Sequence, residues 1–282
     1  MIDFLTEPFQ FTFMQSALVA SLLIALTCGV LGVYVVLRRM AFIGDAVSHT
    51  AMPGLVAAYL NGWSLFGGAL VAGVATALGI GWLSRRGILR EDTAIGVVFT
   101  GLFALGVMMM SATKSFRDVT SLLFGNVLGV TEDDVALIAV VTAAVCLTVL
   151  LVHKELELTS FDPVHAQVVG ISADVVRYLL LILLAMAVVV GIQAVGVVLV
   201  SGLLITPAAA ASLLTTRLLR MMLLAVIIAF ASVTAGLYVS YYMNVSAGAA
   251  IVLCGSVAFM GAWAVHSAKA ALTSGPIARP VD

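Results

Sequence analysis

The chain has 282 residues, of which 63% are hydrophobic and 10% are charged, and its mean hydropathy is +1.21. Ordinary globular chains are about half apolar and about a quarter charged, so this composition indicates an integral membrane protein with short loops. The formal net charge of −1 gives no support for binding to nucleic acid. The sequence has no Gly-Lys dipeptide and hence no phosphate-binding loop, so any ATPase that powers this protein is expected on another chain.

Apolar runs predict an all-α transmembrane helix bundle with about nine spans, since one spanning helix needs about 20 mostly apolar residues. Eight spans are also possible, because the second run contains polar groups and Pro53. Residues 1–272 are expected to form a single transmembrane domain, and residues 273–282 a disordered tail. The predicted spans cover residues 13–37, 44–61, 63–83, 93–111, 133–152, 174–192, 194–214, 219–239 and 246–266.

Basic residues are distributed unequally between the two ends of these spans. Under a nine-span arrangement, the 13 lysines and arginines all fall on one side except Lys114 and Arg117. Because cytoplasmic loops carry an excess of lysine and arginine, the C-terminus is predicted in the cytoplasm and the N-terminus outside. Residues 1–12 are then expected along the outer membrane interface.

The second span begins with an ionisable pair, Asp45 and His49. These residues are four positions apart, so on a helix they lie on one face, with Ser48 beside them. An ionisable residue within a membrane segment is costly and usually marks a pathway or a ligand site. A carboxylate and an imidazole suit a divalent metal such as Mn²⁺ or Zn²⁺. The alternative is that Asp45 caps the helix and His49 is a hydrogen-bonded core residue.

One aspartate and one histidine make a weak site, so we expect two copies of the chain to share a metal path on a dimer axis. Weak binding suits a path, because a tightly bound metal cannot leave. His49 must be neutral to bind metal, so acid is expected to oppose transport.

The outer loop 112–132 has two notable segments. Residues 121–129 are expected to form a short helix that dips into the interface. Glu132, Asp133 and Asp134 place negative charge at the start of the fifth span, where a helix N-terminus favours it. These acids are either a solvated cap or part of a surface that meets an outer binding protein.

The inner loop Glu155–Ser172 contains the signals of a short helix. Asp162 can cap a helix that has Pro163 at its first position, Gly170 can end it, and Ser172 can cap the next span. Such a helix suits docking of a partner, and the alternative is an ordered connector.

The sixth and seventh predicted spans contain several helix-disrupting residues. Gly196, Gly202 and Pro207 are expected to interrupt helical regularity, which is tolerated at membrane depth only against protein or a water-filled path. Small residues at 208–212 permit close helix packing instead. The segment is therefore either a gating element or a packed bundle interior. The pathway or gate candidates are Ser48, Met52, Pro53, Thr206 and Pro207.

Three motifs, in order, resemble the membrane permease of bacterial ATP-binding-cassette importers for manganese, zinc or iron, the manganese/zinc permease family. The family often has leucine where this chain has Met52. The resemblance covers nearly the whole chain, and the sequence around Asp45 is more similar to the manganese members than to the zinc members. The motifs are Arg38-Arg39-Met40 through Asp45-Ala46-Val47-Ser48-His49 and Pro53-Gly54, Phe161-Asp162-Pro163 with Gly170-Ile171, and Val195-Gly196 with Leu204-Ile205-Thr206-Pro207.

The resemblance implies a permease homodimer of the type II importer arrangement in the bacterial inner membrane. Two cytoplasmic ATPases would dock on it, and an outer solute-binding protein would deliver Mn²⁺ or, second, Zn²⁺. The chain would itself be no enzyme and would hold no permanent cofactor. Asp45 and His49 look like the family's metal-contacting residues. The segment of about 157–172 looks like its coupling helix, with Phe161, Asp162, Pro163, His165 and Gly170 as the contact candidates.

Three other functions stay open at this point. A secondary metal transporter would work without an ATPase, so uptake by the lone chain in liposomes would identify it. A membrane metalloenzyme needs a third metal ligand and a general base, and no His-Glu-x-x-His motif is present. A permease for an iron chelate or a vitamin would need a wide apolar vestibule rather than an Asp/His pair.

Overall fold

The computed structural model describes residues 7–85, 89–111 and 127–273, and most of these residues are helical. Two short 3₁₀ segments, Glu7–Gln10 and Val127–Gly129, accompany the α-helices. In chain order the α-helices are α1 (Thr12–Leu37), α2 (Ile43–Thr50), α3 (Met52–Asn61), α4 (Leu65–Leu83), α5 (Glu91–Ser111), α6 (Glu132–Leu151), α7 (His153–Phe161), α8 (Pro163–Val168), α9 (Ala173–Val195), α10 (Val197–Leu214), α11 (Leu218–Met243) and α12 (Ala247–Thr273).

Within the described ranges, eight helices are long and apolar enough to cross a membrane, namely α1, α4, α5, α6, α9, α10, α11 and α12. This confirms the predicted all-α transmembrane bundle. The second predicted span is different, because residues 43–61 form two short helices that meet at Ala51. Pro53 has no N–H group and so cannot donate to the carbonyl of His49, which breaks the helical ladder there.

The short helices α2 and α3 nevertheless carry the chain across the membrane together. Arg38, just after α1, donates hydrogen bonds to Thr159 and Ser160 of α7. Arg177 of α9 donates to the backbone carbonyl of Ser84, just after α4. The ends of α1 and α4 therefore lie on the same side of the bundle, here called the basic side, and the chain must cross between them. Eight long helices and one broken crossing agree with the prediction of about nine spans.

The broken crossing lies between two groups of packed helices. In the first group α1 packs against α6, α10 and α11, and α12 covers α10 and α11. In the second group α9 packs against α4, and α3 packs against α4 and α5. Helix α2 contacts α4, α5, α9 and α10, so it touches both groups. The ionisable pair of the sequence is thus carried by a helix that contacts both halves of the bundle, as α9 also does.

Glycines allow the closest helix approaches. A Cβ atom at Gly32 of α1 would collide with the backbone carbonyl of Leu204 in α10. Gly54 of α3 and Gly68 of α4 face each other in the same way, since a Cβ at either would meet the other's carbonyl oxygen. Small residues at such crossings bring helix backbones together in a membrane, where close packing drives association.

The break expected between the sixth and seventh spans occurs at one of the three proposed residues. Gly196 has φ +92° and separates α9 from α10. Gly202 and Pro207 lie within the continuous helix α10. Proline removes only its own N–H donor, and the packed helices around α10 keep the rest of the ladder in place.

Two connections differ from the sequence expectation or lie outside the described residues. Residues 153–161, expected as part of a loop, form helix α7, which is anchored by the fully buried Leu156. The short helix predicted over 121–129 falls largely outside the described residues, apart from the 3₁₀ segment Val127–Gly129. The predicted tail also lies outside them, apart from Thr273 at the end of α12.

Candidate metal site

Helix α2 presents the ionisable pair on its one partly exposed face. Six of its eight residues are buried, and the two that are half-exposed are Asp45 and His49. Asp45 lies in the first turn of α2, but the N-cap residue is Phe42 and no side chain caps the helix. The alternative role of Asp45 as a helix cap therefore finds no support in this geometry. The two side chains lie on a face that the described part of the chain covers only partly.

The His49 imidazole lies against two aromatic rings of α5. Its ring centroid is 5.3 Å from that of Phe103, in an edge-on arrangement, and 5.8 Å from that of Phe99. The two phenyl rings are stacked on each other, with centroids 5.7 Å apart. Sequence reasoning missed these two residues. Their spacing of four along an apolar helix is a signal for one shared face, although it does not indicate which helix they contact.

Ser48 lies on a different side of α2 from the ionisable pair. It is fully buried, and its Oγ donates to the carbonyl of Gly44 at 2.6 Å. It also lines a cavity of about 220 Å³ together with Asp134 and Gln193. The sequence placed Ser48 on a face next to that of Asp45 and His49, and its role in the pathway stays a prediction.

The other pathway candidates lie on two different helices. Met52 and Pro53 begin α3 and contact the position of Gly106 in α5. Thr206 of α10 lies beside the position of Gly255 in α12, and Pro207 is buried within α10. Ser201 and Leu204 are the α10 residues that approach Gly44. The structure thus brings Met52 and Pro53 near the pair, while a role for Thr206 or Pro207 stays a prediction.

One copy of the chain supplies few metal ligands at this face. Among the described residues, no group of three or more histidine, cysteine, aspartate or glutamate side chains could hold a metal ion. A carboxylate and an imidazole from each of two copies would give four ligands, which is the usual number for Zn²⁺.

The segment after α7 has the local structure that its sequence predicts. Asp162 accepts a hydrogen bond from the backbone N–H of His165 at 2.9 Å, and Pro163 is the first residue of α8. Gly170 follows α8 with φ +92°. Ser172 then accepts from the N–H of Val175 and caps α9.

The end of α7 and helix α8 expose apolar side chains on the basic side. Phe161, Val164 and Val168 are 57%, 72% and 81% exposed, whereas Ala166 is fully buried against the bundle. Val164 and Val168 are four positions apart on α8 and share one face, and Phe161 is the last residue of α7. An apolar face of this kind on a membrane protein's short connecting helix is typical of a contact with another protein.

Charged side chains join this segment to the ends of the spans. Asp174 binds Arg177 at 2.8 Å and Arg85 at 3.3 Å. Arg38 and Glu91 line a cavity of about 380 Å³ with Arg177 and Asp174. Burial of the Arg38 guanidinium lowers its pKa from the ordinary value, and the Glu91 carboxylate opposes that shift. We call these five residues the charged cluster; it connects α1, α4, α5 and α9, and Arg38 extends it to α7.

The fold defines a multi-pass membrane protein that carries an aspartate and a histidine on a short helix between its long spans. The model of the ABC 3 transport family matches residues 10–266. The chain belongs to that family, and this confirms the resemblance drawn from the three motifs.

Named relatives and a solved structure agree with this assignment. The chain is 41% identical over 271 residues to the manganese transport system membrane protein MntC of Halalkalibacterium halodurans, covering 96% of this chain and 93% of that protein. It is 40% identical over 260 residues to the probable iron transport system membrane protein of Haemophilus influenzae, covering 92% and 96%. A chain of PsaBC from Streptococcus pneumoniae, solved in complex with Fab, superposes with a TM-score of 0.81 at 34% identity and covers 93% and 95%. The names of the two relatives describe membrane components of transport systems, as predicted for a transport subunit that is not an enzyme.

Proposed function

We propose that this chain is the permease subunit of an ATP-driven importer of divalent transition metal, with Mn²⁺ as the first candidate and Zn²⁺ as the second. The observation that carries the proposal is the half-exposed face of α2, where Asp45 and His49 are the only residues of that helix left uncovered. The name of the MntC relative supports manganese, and that of the Haemophilus relative keeps iron as an alternative.

The metal passes between two copies of the chain. Each copy contributes Asp45 and His49 at the dimer axis, and the four ligands replace part of the metal's water shell. This arrangement explains why α2 leaves its ionisable face partly exposed and why the described residues of one chain contain no complete ligand set. The surrounding bundle is apolar, so a cation at this depth depends on these ligands.

ATP hydrolysis by a separate cytoplasmic ATPase drives alternating access. The ATPase grips the exposed face of α8, around Phe161, Val164 and Val168. Arg38 transmits the motion of the ATPase from α7 to the end of α1, and α2 begins five residues after Arg38. An outer solute-binding protein delivers the metal on the opposite side of the inner membrane. The excess of basic residues assigns the basic side and the C-terminus to the cytoplasm and the N-terminus to the outside.

The test is metal uptake into liposomes by the assembled transporter. His49→Ala and Asp45→Asn are each expected to abolish Mn²⁺ uptake while leaving assembly and ATP binding intact. His266→Ala is the matched control, because His266 is an exposed histidine that binds the carbonyl of Leu213 far along the chain. Normal uptake by a well-expressed His49→Ala variant would defeat the site assignment. Uptake by the permease alone, without an ATPase, would support a secondary transporter instead.

A further inference from the structure

His49 lacks the hydrogen bond that usually supports a metal-binding imidazole. Its Nδ1 atom is buried and has no hydrogen-bond partner among the described residues. Nε2 is not among the buried, unpartnered atoms of this part of the chain, and His49 as a whole is half-exposed. Nε2 is therefore the accessible nitrogen through which His49 meets a metal.

Apolar surroundings explain the missing partner of Nδ1. The imidazole packs on the Phe99 and Phe103 rings, which have no oxygen or nitrogen that could accept a hydrogen bond. The Ser48 hydroxyl donates to the Gly44 carbonyl on a different side of α2, and no hydrogen bond joins it to Nδ1. A second copy of the chain cannot supply the acceptor to this arrangement, because Nδ1 is covered within one copy.

Metal-binding histidines almost always donate their second ring N–H to a carboxylate, a carbonyl or water. That bond orients the ring and makes the imidazole a more basic ligand, and its loss typically costs 10- to 100-fold in metal affinity or activity. At His49, packing against phenyl rings takes over the orienting role and gives no such increase in basicity. A transport site gains from this, since conduction requires binding weak enough for release.

We propose that Phe99 and Phe103 are positioning residues that orient the His49 imidazole by packing and keep Nδ1 without an acceptor. Nε2 is thereby a weak and rapidly exchanging metal ligand. This inference rests on the proposed function, because it assumes that His49 contacts the transported metal.

The test places an acceptor beside Nδ1 and measures affinity and rate separately. In Phe103→Gln, and independently in Phe99→Gln, the amide oxygen can accept from the ring N–H. Each variant is expected to bind Mn²⁺ about tenfold more tightly at equilibrium and to show a lower maximal uptake rate. Leu105→Gln is the matched control, because Leu105 is 40% exposed and, two residues from Phe103 on the same helix, does not share its face. Its Mn²⁺ affinity is expected within about twofold of the original. Glutamine variants of the two phenylalanines that bind Mn²⁺ no more tightly than the original protein would overturn the inference.

Two further measurements separate the possible failures. If His49→Ala transports normally, the proposed function fails; if it is inactive but the glutamine variants leave affinity unchanged, only the role of the phenylalanines fails. Where the glutamine variants do not assemble, pulsed electron paramagnetic resonance of Cu²⁺ bound to the original protein reads the nuclear quadrupole coupling of the remote imidazole nitrogen. A coupling typical of a strongly hydrogen-bonded Nδ1–H would contradict the inference, and one typical of a free N–H would support it.

Discussion

The contact of Arg38 with α7 gives the sharpest test of how the two ends of the transporter communicate. Its guanidinium donates to Thr159 Oγ1 at 3.0 Å and to Ser160 Oγ at 3.2 Å. A hydrogen bond of this kind contributes about 1 kcal/mol, so Arg38→Ala removes roughly 2 kcal/mol of interaction between α1 and α7. Each 1.4 kcal/mol is a factor of ten. If the whole loss is added to the free-energy barrier of the conformational step, uptake slows about thirtyfold.

The assay compares Mn²⁺ uptake with ATP hydrolysis in liposomes that contain the assembled transporter. Arg38→Ala is expected to reduce uptake far more than hydrolysis, because Arg38 connects the segment proposed to meet the ATPase with the end of α1. Arg39→Gln is the matched control: Arg39 is exposed, and the replacement keeps a non-glycine residue at its φ of 59°. Arg39→Gln is expected to leave uptake within about twofold.

A double variant tests whether the effect runs through the hydrogen bonds. If it does, Thr159→Val combined with Ser160→Ala lowers uptake as Arg38→Ala does, and adding Arg38→Ala causes little further loss. Additive losses, or normal uptake by Arg38→Ala, would refute the reasoning.

Three further predictions concern the coupling segment, the helix joint and the pH dependence. Asp162→Ala removes the cap of α8 and is expected to destabilise that helix by about 1 kcal/mol, seen as faster amide hydrogen exchange over 163–168; unchanged exchange would contradict the role of the cap. Gly196→Ala places a side chain at φ +92° and is expected to cost about 1–3 kcal/mol, seen as a lower melting temperature than that of Gly79→Ala, where open space surrounds the new Cβ. Uptake is expected to fall as the medium is acidified, because protonated His49 cannot bind metal, while ATP hydrolysis falls less; a flat uptake profile would count against ligation by His49.

Hydropathy predicted most of the helices because each long span has to bury a continuous apolar surface in lipid. The helix signals around α8 were equally informative, since Asp162, Pro163 and Gly170 act through their own backbone geometry. Pro53 also indicated that the second span is irregular. Local sequence is sufficient for features of this kind, because their causes lie within a few residues of one another.

The contacts between distant segments could not be predicted in this way. From the sequence alone, Arg38 could be recognised only as a positive charge. Its hydrogen bonds to Thr159 and Ser160 join residues more than a hundred positions apart. The phenyl rings against His49 depend on how α5 packs on α2, which hydropathy does not determine. At Pro207 the local signal was misleading. Proline favours a break in a helix, but packing against the neighbouring helices keeps α10 continuous.

The connection between Arg38 and α2 leads to a final prediction. Residues 39–42 alone separate the α7 contact from the helix that carries Asp45 and His49. The link is ordered, since the N–H of Met40 donates to the carbonyl of Val35 and that of Ile43 donates to the carbonyl of Met40. A short, bonded link transmits displacement, whereas flexible glycine residues absorb it.

Two glycines inserted between Ala41 and Phe42 lengthen this link without removing a metal ligand or the Arg38 contact. We expect the variant to bind Mn²⁺ and to hydrolyse ATP near the original rate, yet to lose most of its uptake. The same insertion after Gly62 is the control, because that residue lies in the connection between α3 and α4 with open space around it. If the link at 41–42 tolerates the insertion as well as the loop at Gly62 does, motion reaches α2 through its packing against α5, α9 and α10 rather than through the chain from Arg38.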